Sequence, residues 1–161
     1  MSRSRILRSA LALVLIALLA ATAVLYLQHS RHGRDATGTA LAVDAAAAQS
    51  VALLSYNPEE VEVQLRSAAD GLAPSPFRDA YGQTSSEKVV PAAREQGIST
   101  EATVVGRSLV SGDTNTATVL LFINQSTTTA ANPEPSHSGS RVLVTMSRVD
   151  GTWRIADFQP I

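Results

Sequence analysis

Cysteine is absent from all 161 residues, which removes disulfides, thiolate catalysis and cysteine-based zinc sites together. Histidine is scarce: His29, His32 and His137 stand apart from any carboxylate pattern that would complete a metal site. No glycine-rich phosphate loop, metal-ligand spacing or Ser/His/Asp arrangement is visible, and Gly106, Gly112 and Gly139 read as isolated turn or bulge glycines. The formal net charge is -1, but it is unevenly spread. Arg3, Arg5, Arg8, Arg31 and Arg34 precede or follow one early segment, while the remainder is mildly acidic. Nothing there resembles the basic, aromatic-studded surface that nucleic acid requires. No cofactor, metal or nucleic-acid partner is expected.

What is present begins with an uncharged run, Ser9–Leu27, whose only hydroxyls before its closing Tyr26-Leu27 are Ser9 and Thr22. At about 1.5 Å per residue it spans close to 30 Å as a helix, the thickness of a bilayer's hydrocarbon core. Arg3, Arg5 and Arg8 ahead of it place the amino terminus in the cytoplasm, and Tyr26 stands where an interfacial aromatic belongs. Ala21-Thr22-Ala23 has the small-x-small form of a signal-peptidase site, but the apolar stretch continues beyond it through Leu27. The expectation is an uncleaved single-pass anchor: a tail over residues 1–8, a transmembrane helix over 9–27, a juxtamembrane linker over 28–39 and an extracytoplasmic domain over 40–161.

Within that domain, Leu41, Val43, Ala47, Val51 and Leu54 approach helical spacing and predict a first amphipathic helix over Ala40–Leu54. Asn57-Pro58-Glu59-Glu60 predicts a second helix start, with Val61, Leu65 and Ala68 on its apolar face and Gly71 as a left-handed terminator. Ser75-Pro76 opens a third, carrying Phe77 and Tyr81, which Pro91 should kink or restart near Val90 before Gly97. From Ile98 onward β-branched residues dominate. Strands are predicted over Ile98–Val110, Thr114–Thr127, Arg141–Val149 and Thr152–Phe158, with an exposed loop over Thr128–Ser140 that contains His137, and a tight turn at Asp150-Gly151. Alternation assigns Ala117, Val119, Leu121, Ile123, Val142, Val144, Met146, Trp153 and Ile155 to the inner face. The fold class expected is α+β: about three helices on a curved, antiparallel four-stranded sheet.

The residues, taken in order, resemble the Mce-associated membrane proteins of actinobacteria. The resemblance rests on the Arg-flanked anchor, the alanine-rich helix after it, Phe77 and Tyr81 four apart, and Val89-Val90-Pro91. It continues through Val119–Gln125 to Met146, Trp153 and Ile155 and the closing Pro160-Ile161. It implies an NTF2-like, SnoaL-like cone outside the cytoplasmic membrane and an accessory role in Mce-type lipid import, with the membrane, Mce-complex proteins and a lipid or sterol as partners. It carries over no catalytic residue.

Three functions follow from these readings. The first is a non-catalytic membrane-tethered subunit or scaffold that meets envelope partners through its sheet. The second is a SnoaL or ketosteroid-isomerase-like enzyme, which needs a carboxylate or histidine held in the cone. Asp157, alternating with Trp153 and Ile155, is its candidate, beside Tyr56 or Tyr81. The third is a lipid-binding transfer module, its cone lined by Tyr56, Tyr81, Leu121, Met146 and Trp153.

Overall fold

A computed structural model describes residues 38–161 of the chain. The tail, the expected transmembrane helix over 9–27 and the linker as far as residue 37 lie outside the described residues. Among the described residues no helix is long and apolar enough to cross a membrane.

Helix α1 covers residues 38–54, so it already includes Gly38 and Thr39 beside the expected Ala40 boundary. Ala42, Ala46, Ser50 and Leu53 recur at helical spacing and are buried, giving α1 a flat face of mostly small side chains. That face lies on a sheet of four antiparallel strands, β1 (Ser99–Gly112), β2 (Thr116–Thr128), β3 (Ser136–Val149) and β4 (Thr152–Pro160), hydrogen-bonded in chain order. The inner positions read from alternation are all buried. On the other face, Leu120 is half-buried and Phe122 is exposed.

Helix α1 runs antiparallel to β1 and is tied to it along its length. The Arg107 guanidinium meets Asp44 at 3.0 Å, the Ser55 hydroxyl accepts the Ala102 N–H at 3.0 Å, and Tyr56 and Thr100 exchange both backbone bonds at 2.9 Å. At the other end a Cβ on Gly112 would sit 3.0 Å from Thr39 Cγ2 and 3.1 Å from Ala117 Cβ, so glycine permits the close approach. The opposite edge of the sheet is held by the same helix. Gln49 donates to the Trp153 carbonyl at 2.7 Å and accepts the Ile155 N–H at 3.0 Å, while the Ile155 carbonyl accepts the Ala73 N–H at 2.9 Å. Backbone groups that an edge strand would leave unpaired are thereby satisfied.

Three further helical segments follow α1: α2 (Val61–Asp70), α3 (Pro76–Thr84) and α4 (Val90–Gln96), the last two joined by a π-helical turn, Ser85–Val89. Asn57 acts one turn ahead of α2, its side-chain oxygen accepting the Glu60 N–H at 2.9 Å. Ser75 caps α3 as its sequence predicts, accepting the Arg78 N–H at 3.2 Å. Pro91 has no N–H for the carbonyl four residues back, and the chain passes it through the π turn rather than breaking. Gly97, at φ 63 and ψ 40, ends α4 in the left-handed conformation expected of it. Gly71 corrects the other such expectation: it is right-handed, at φ -73 and ψ -16, and its N–H reaches both Ser67 and Ala68 carbonyls at 3.2 Å, tightening the last turn of α2.

The loop expected over Thr128–Ser140 is shorter than predicted. Ser136–Ser140 begin β3, pairing with Thr127 through Ile123 on β2, so His137 lies on a strand opposite Ser126. These polar residues carry no apolar alternation because their side chains are largely in water, and backbone pairing needs none. The Asp150-Gly151 turn is as predicted, with φ 50 and 79 in succession, the primed geometry that matches strand twist.

Two clusters of apolar side chains result. The larger joins α1, Leu72 and the inner sheet face, and a smaller one joins Val61, Leu65, Val90 and Ala93 between α2 and α4. Replacing Gln49 by alanine leaves the Trp153 carbonyl and the Ile155 N–H without their partners, and about 2 kcal/mol of stability should be lost. Urea denaturation of the full chain, read as a midpoint shift at constant slope, checks this.

Candidate functional site

The interior of the cone is built by α1, α3 and the inner sheet face. Leu121 and Met146 are wholly buried there and Trp153 is 5% exposed, so three of the five lining residues proposed from sequence stand together in the main core. Tyr81 is half-buried at the border of both clusters, whereas Tyr56 packs against the smaller one. A ligand reaching Leu121 or Met146 would have to displace core side chains.

Tyr81 is fixed at both ends. Its hydroxyl donates to the Leu53 carbonyl at 2.9 Å, closing the end of α1, and its ring lies 6.1 Å from that of Phe77. Phe77 in turn stacks on Phe158 of β4 at 6.1 Å and 17°. The spacing of Phe77 and Tyr81 on α3 therefore clamps a strand and a helix together. Burial pushes the Tyr81 phenol up to about 12, outweighing the Ser85 hydroxyl, which favours the ionised form.

Phe158 occupies the inner position that alternation assigned to Asp157. A bulge at Ala156 shifts the register between Thr145 and Met146, so Ile155 pairs with Met146 and Phe158 with Val144, both inward. Asp157 pairs with Thr145 on the outer face, away from Tyr56 and Tyr81. The expectation that it faces into the cone is thus corrected, and the enzyme reading loses its candidate base. Among the described residues no three histidine, cysteine, aspartate or glutamate side chains gather as a metal site would need. The interior does hold two buried polar atoms without a hydrogen-bond partner, Ser50 Oγ and Trp153 Nε1. Ser50 gave no signal in an alanine-rich helix.

The outer face of the sheet differs. Phe122 is 41% exposed beside its cross-strand partner Gly106, where a Cβ would lie 3.2 Å from the ring. Val105, forced out by a bulge between Val104 and Gly106, is 59% exposed, and Ile161 is exposed nearby. Two shallow depressions lie on this face, sharing Val105 and Asn124 and bordered by Arg141 in one and by Glu101 and His137 in the other.

No family model matches the chain. A Mycobacterium tuberculosis protein described as an outer membrane protein is 41% identical over 129 residues, covering 80% of this chain and 79% of the relative. An uncharacterized protein from the same species is 37% identical over 143 residues, 88% of this chain, and the chain spans 64% of that relative's length. Among solved structures, an IcmL-like type IV secretion system protein from Legionella pneumophila superposes with a TM-score of 0.63 at 12% identity, covering 74% of this chain and 90% of that one. VirB8 from Agrobacterium tumefaciens superposes at 0.57 and 15% identity, covering 74% and 90%. At such identities the likeness is one of fold: an α+β domain with a four-stranded antiparallel sheet, shared with type IV secretion proteins.

Because the Tyr81 phenol has a higher pKa folded than its ordinary 10.0, the unfolded chain ionises first as pH rises. The stability this contributes is complete below pH 10 and is lost as pH climbs to about 12. Urea midpoints measured across that window should fall in the parent chain, and Tyr81→Phe should flatten the fall.

Proposed function

This chain belongs to the family that includes the mycobacterial outer membrane protein, and from that premise we propose that it is a non-catalytic accessory subunit or scaffold of an envelope complex. The observation that carries the reading is the division of the sheet's two faces. The inner face is closed by α1 and packed with apolar side chains, while the outer presents Phe122, Val105 and Ile161 among hydroxyl and amide side chains. An exposed aromatic with aliphatic neighbours and an arginine beside it has the character of a protein-docking centre, in which a few such side chains supply most of the binding energy.

The finer reading is that the complex is an Mce-type lipid importer. The resemblance of motifs along the chain supports it. The apolar run Ser9–Leu27 supports single-pass tethering in the cell membrane, with the domain outside the cytoplasm. Partners are then the membrane and the importer's proteins, with a lipid or sterol as the transported substance.

Affinity purification of the tagged full chain from native membranes in mild detergent should recover lipid-import components. Phe122→Glu, on the solvent side of the sheet, should reduce that recovery while leaving the unfolding free energy from urea denaturation within about 1 kcal/mol of the parent. Recovery of no such components, or recovery unchanged by Phe122→Glu, would count against the reading. A cyclase or isomerase role predicts instead that Asp157→Ala abolishes function, and the expectation is that lipid uptake is unaffected by it.

A further inference from the structure

Outside the cone, α2, α3, the π turn and α4 frame an open cavity of about 280 Å³, lined by Leu65, Ala69 and Val90 with Gly82, Ser85 and Ser86, and by Glu62 and Arg66. The size is at the small end for ligand pockets. Its wall contains a glycine the fold does not require. Gly82 stands inside α3, where glycine destabilises a helix relative to alanine. A Cβ on Gly97 or Gly112 would collide or crowd, but one on Gly82 would meet nothing within 4 Å. The chain therefore keeps a helix-weakening residue at an opening that its own side chains leave empty.

The lining also carries charge. Glu62 accepts from Arg66 at 2.7 Å through one oxygen and from Arg94 at 2.9 Å through the other. Two guanidiniums thus share one carboxylate, so neither has a carboxylate to itself beside the apolar opening. Both pairs are solvent-exposed and weakly held, so the Arg66 guanidinium is free to turn to another anion.

We propose that this cavity takes the chain of a single-chain amphiphile whose anionic head group is held at the mouth by Arg66. Leu65, Ala69 and Val90 receive the apolar tail, and the bare backbone at Gly82 lets it pass close to α3. A carboxylate head gains a charge-assisted hydrogen bond from Arg66. This site does not depend on the scaffold reading, and its failure would leave that reading untouched.

The test is photolabelling of the full chain in native membranes with a decanoic acid bearing a diazirine in its chain, mapped by mass spectrometry. Label is expected on the segments carrying Leu65–Ala69 and Gly82–Val90, competed by decanoate and not by decanol. Gly82→Leu and Ala69→Leu fill the cavity from opposite walls and should each abolish that label while labelling elsewhere persists. Arg66→Gln should weaken competition by decanoate about tenfold, as loss of one charge-assisted bond implies. Labelling of these segments that survives both cavity-filling variants, or competition by decanol equal to that by decanoate, would overturn the proposal. So would an absence of label there in the parent chain, an outcome that leaves the cavity to a partner protein's side chain.

Discussion

The domain depends on one helix holding both edges of its sheet. Gln49 binds β4, Asp44 meets Arg107 of β1, and six residues after Gln49, just past the end of α1, Ser55 binds β1 as well; β1 and β4 are the two edge strands. Six residues of α-helix advance about 9 Å. The outer strands of a flat four-stranded sheet stand about 14 Å apart, before any offset along the strands is counted. The side chains of Gln49 and Ser55 reach across part of that difference, and a sheet that curls around α1 brings both edges closer to the helix. The bulges at Val105, Val110 and Ala156 provide the bending, since each adds a residue to one strand of a pair and increases local twist. The small face of α1, with Ala42, Ala46 and Ser50, lets the curl close tightly enough to exclude a central void at Leu121 and Met146.

That closure decides where chemistry is placed. A curved sheet of this type can hold a pocket on its concave side, but here the concavity is occupied by Leu72, Trp153, Met146 and Leu121 packed on α1. The bulge that lets β4 bend also exchanges Phe158 for Asp157 at the inner face. The same exchange gives Phe77 its stacking partner and moves the carboxylate to the outer face, opposite Thr145. Curvature and the loss of an interior base are one structural event, and they leave the outer sheet face and the helical layer as the surfaces open to partners.

Much of this was legible in the sequence and some of it was not, for definable reasons. Alternation along Ala117–Ile123 and Val142–Met146 identified the core face because β2 and β3 are buried on one side and carry no extra residue themselves, the bulged residues lying on β1 and β4. The Ser75 cap, the Gly97 terminator and the Asp150-Gly151 turn were readable since each is set by local backbone chemistry. The bulge at Ala156 has no local signature, so alternation carried past it put Asp157 on the wrong face. Gln49 carries no sequence signal of its role because its partners lie 104 and 106 residues away. Trp153, Leu121 and Met146 were readable as interior residues, but whether an interior is filled or hollow is a property of volumes that no single strand reports.

The unequal division of the core has its own consequence. The sheet and α1 share a cluster built on fifteen buried side chains, whereas α2 and α4 meet through four, Val61, Leu65, Val90 and Ala93. Local opening is governed by how much apolar surface an element buries and by how many of its backbone bonds it keeps from water. The helical layer therefore opens more readily than the sheet, and its π turn already departs from regular α-helical bonding. Tyr81 is the side chain that touches both clusters while its hydroxyl holds the end of α1. A molecule bound between α2 and α3 thus acts on the layer that yields first, and Tyr81 is the contact through which a shift there reaches the helix that sets the curvature of the sheet.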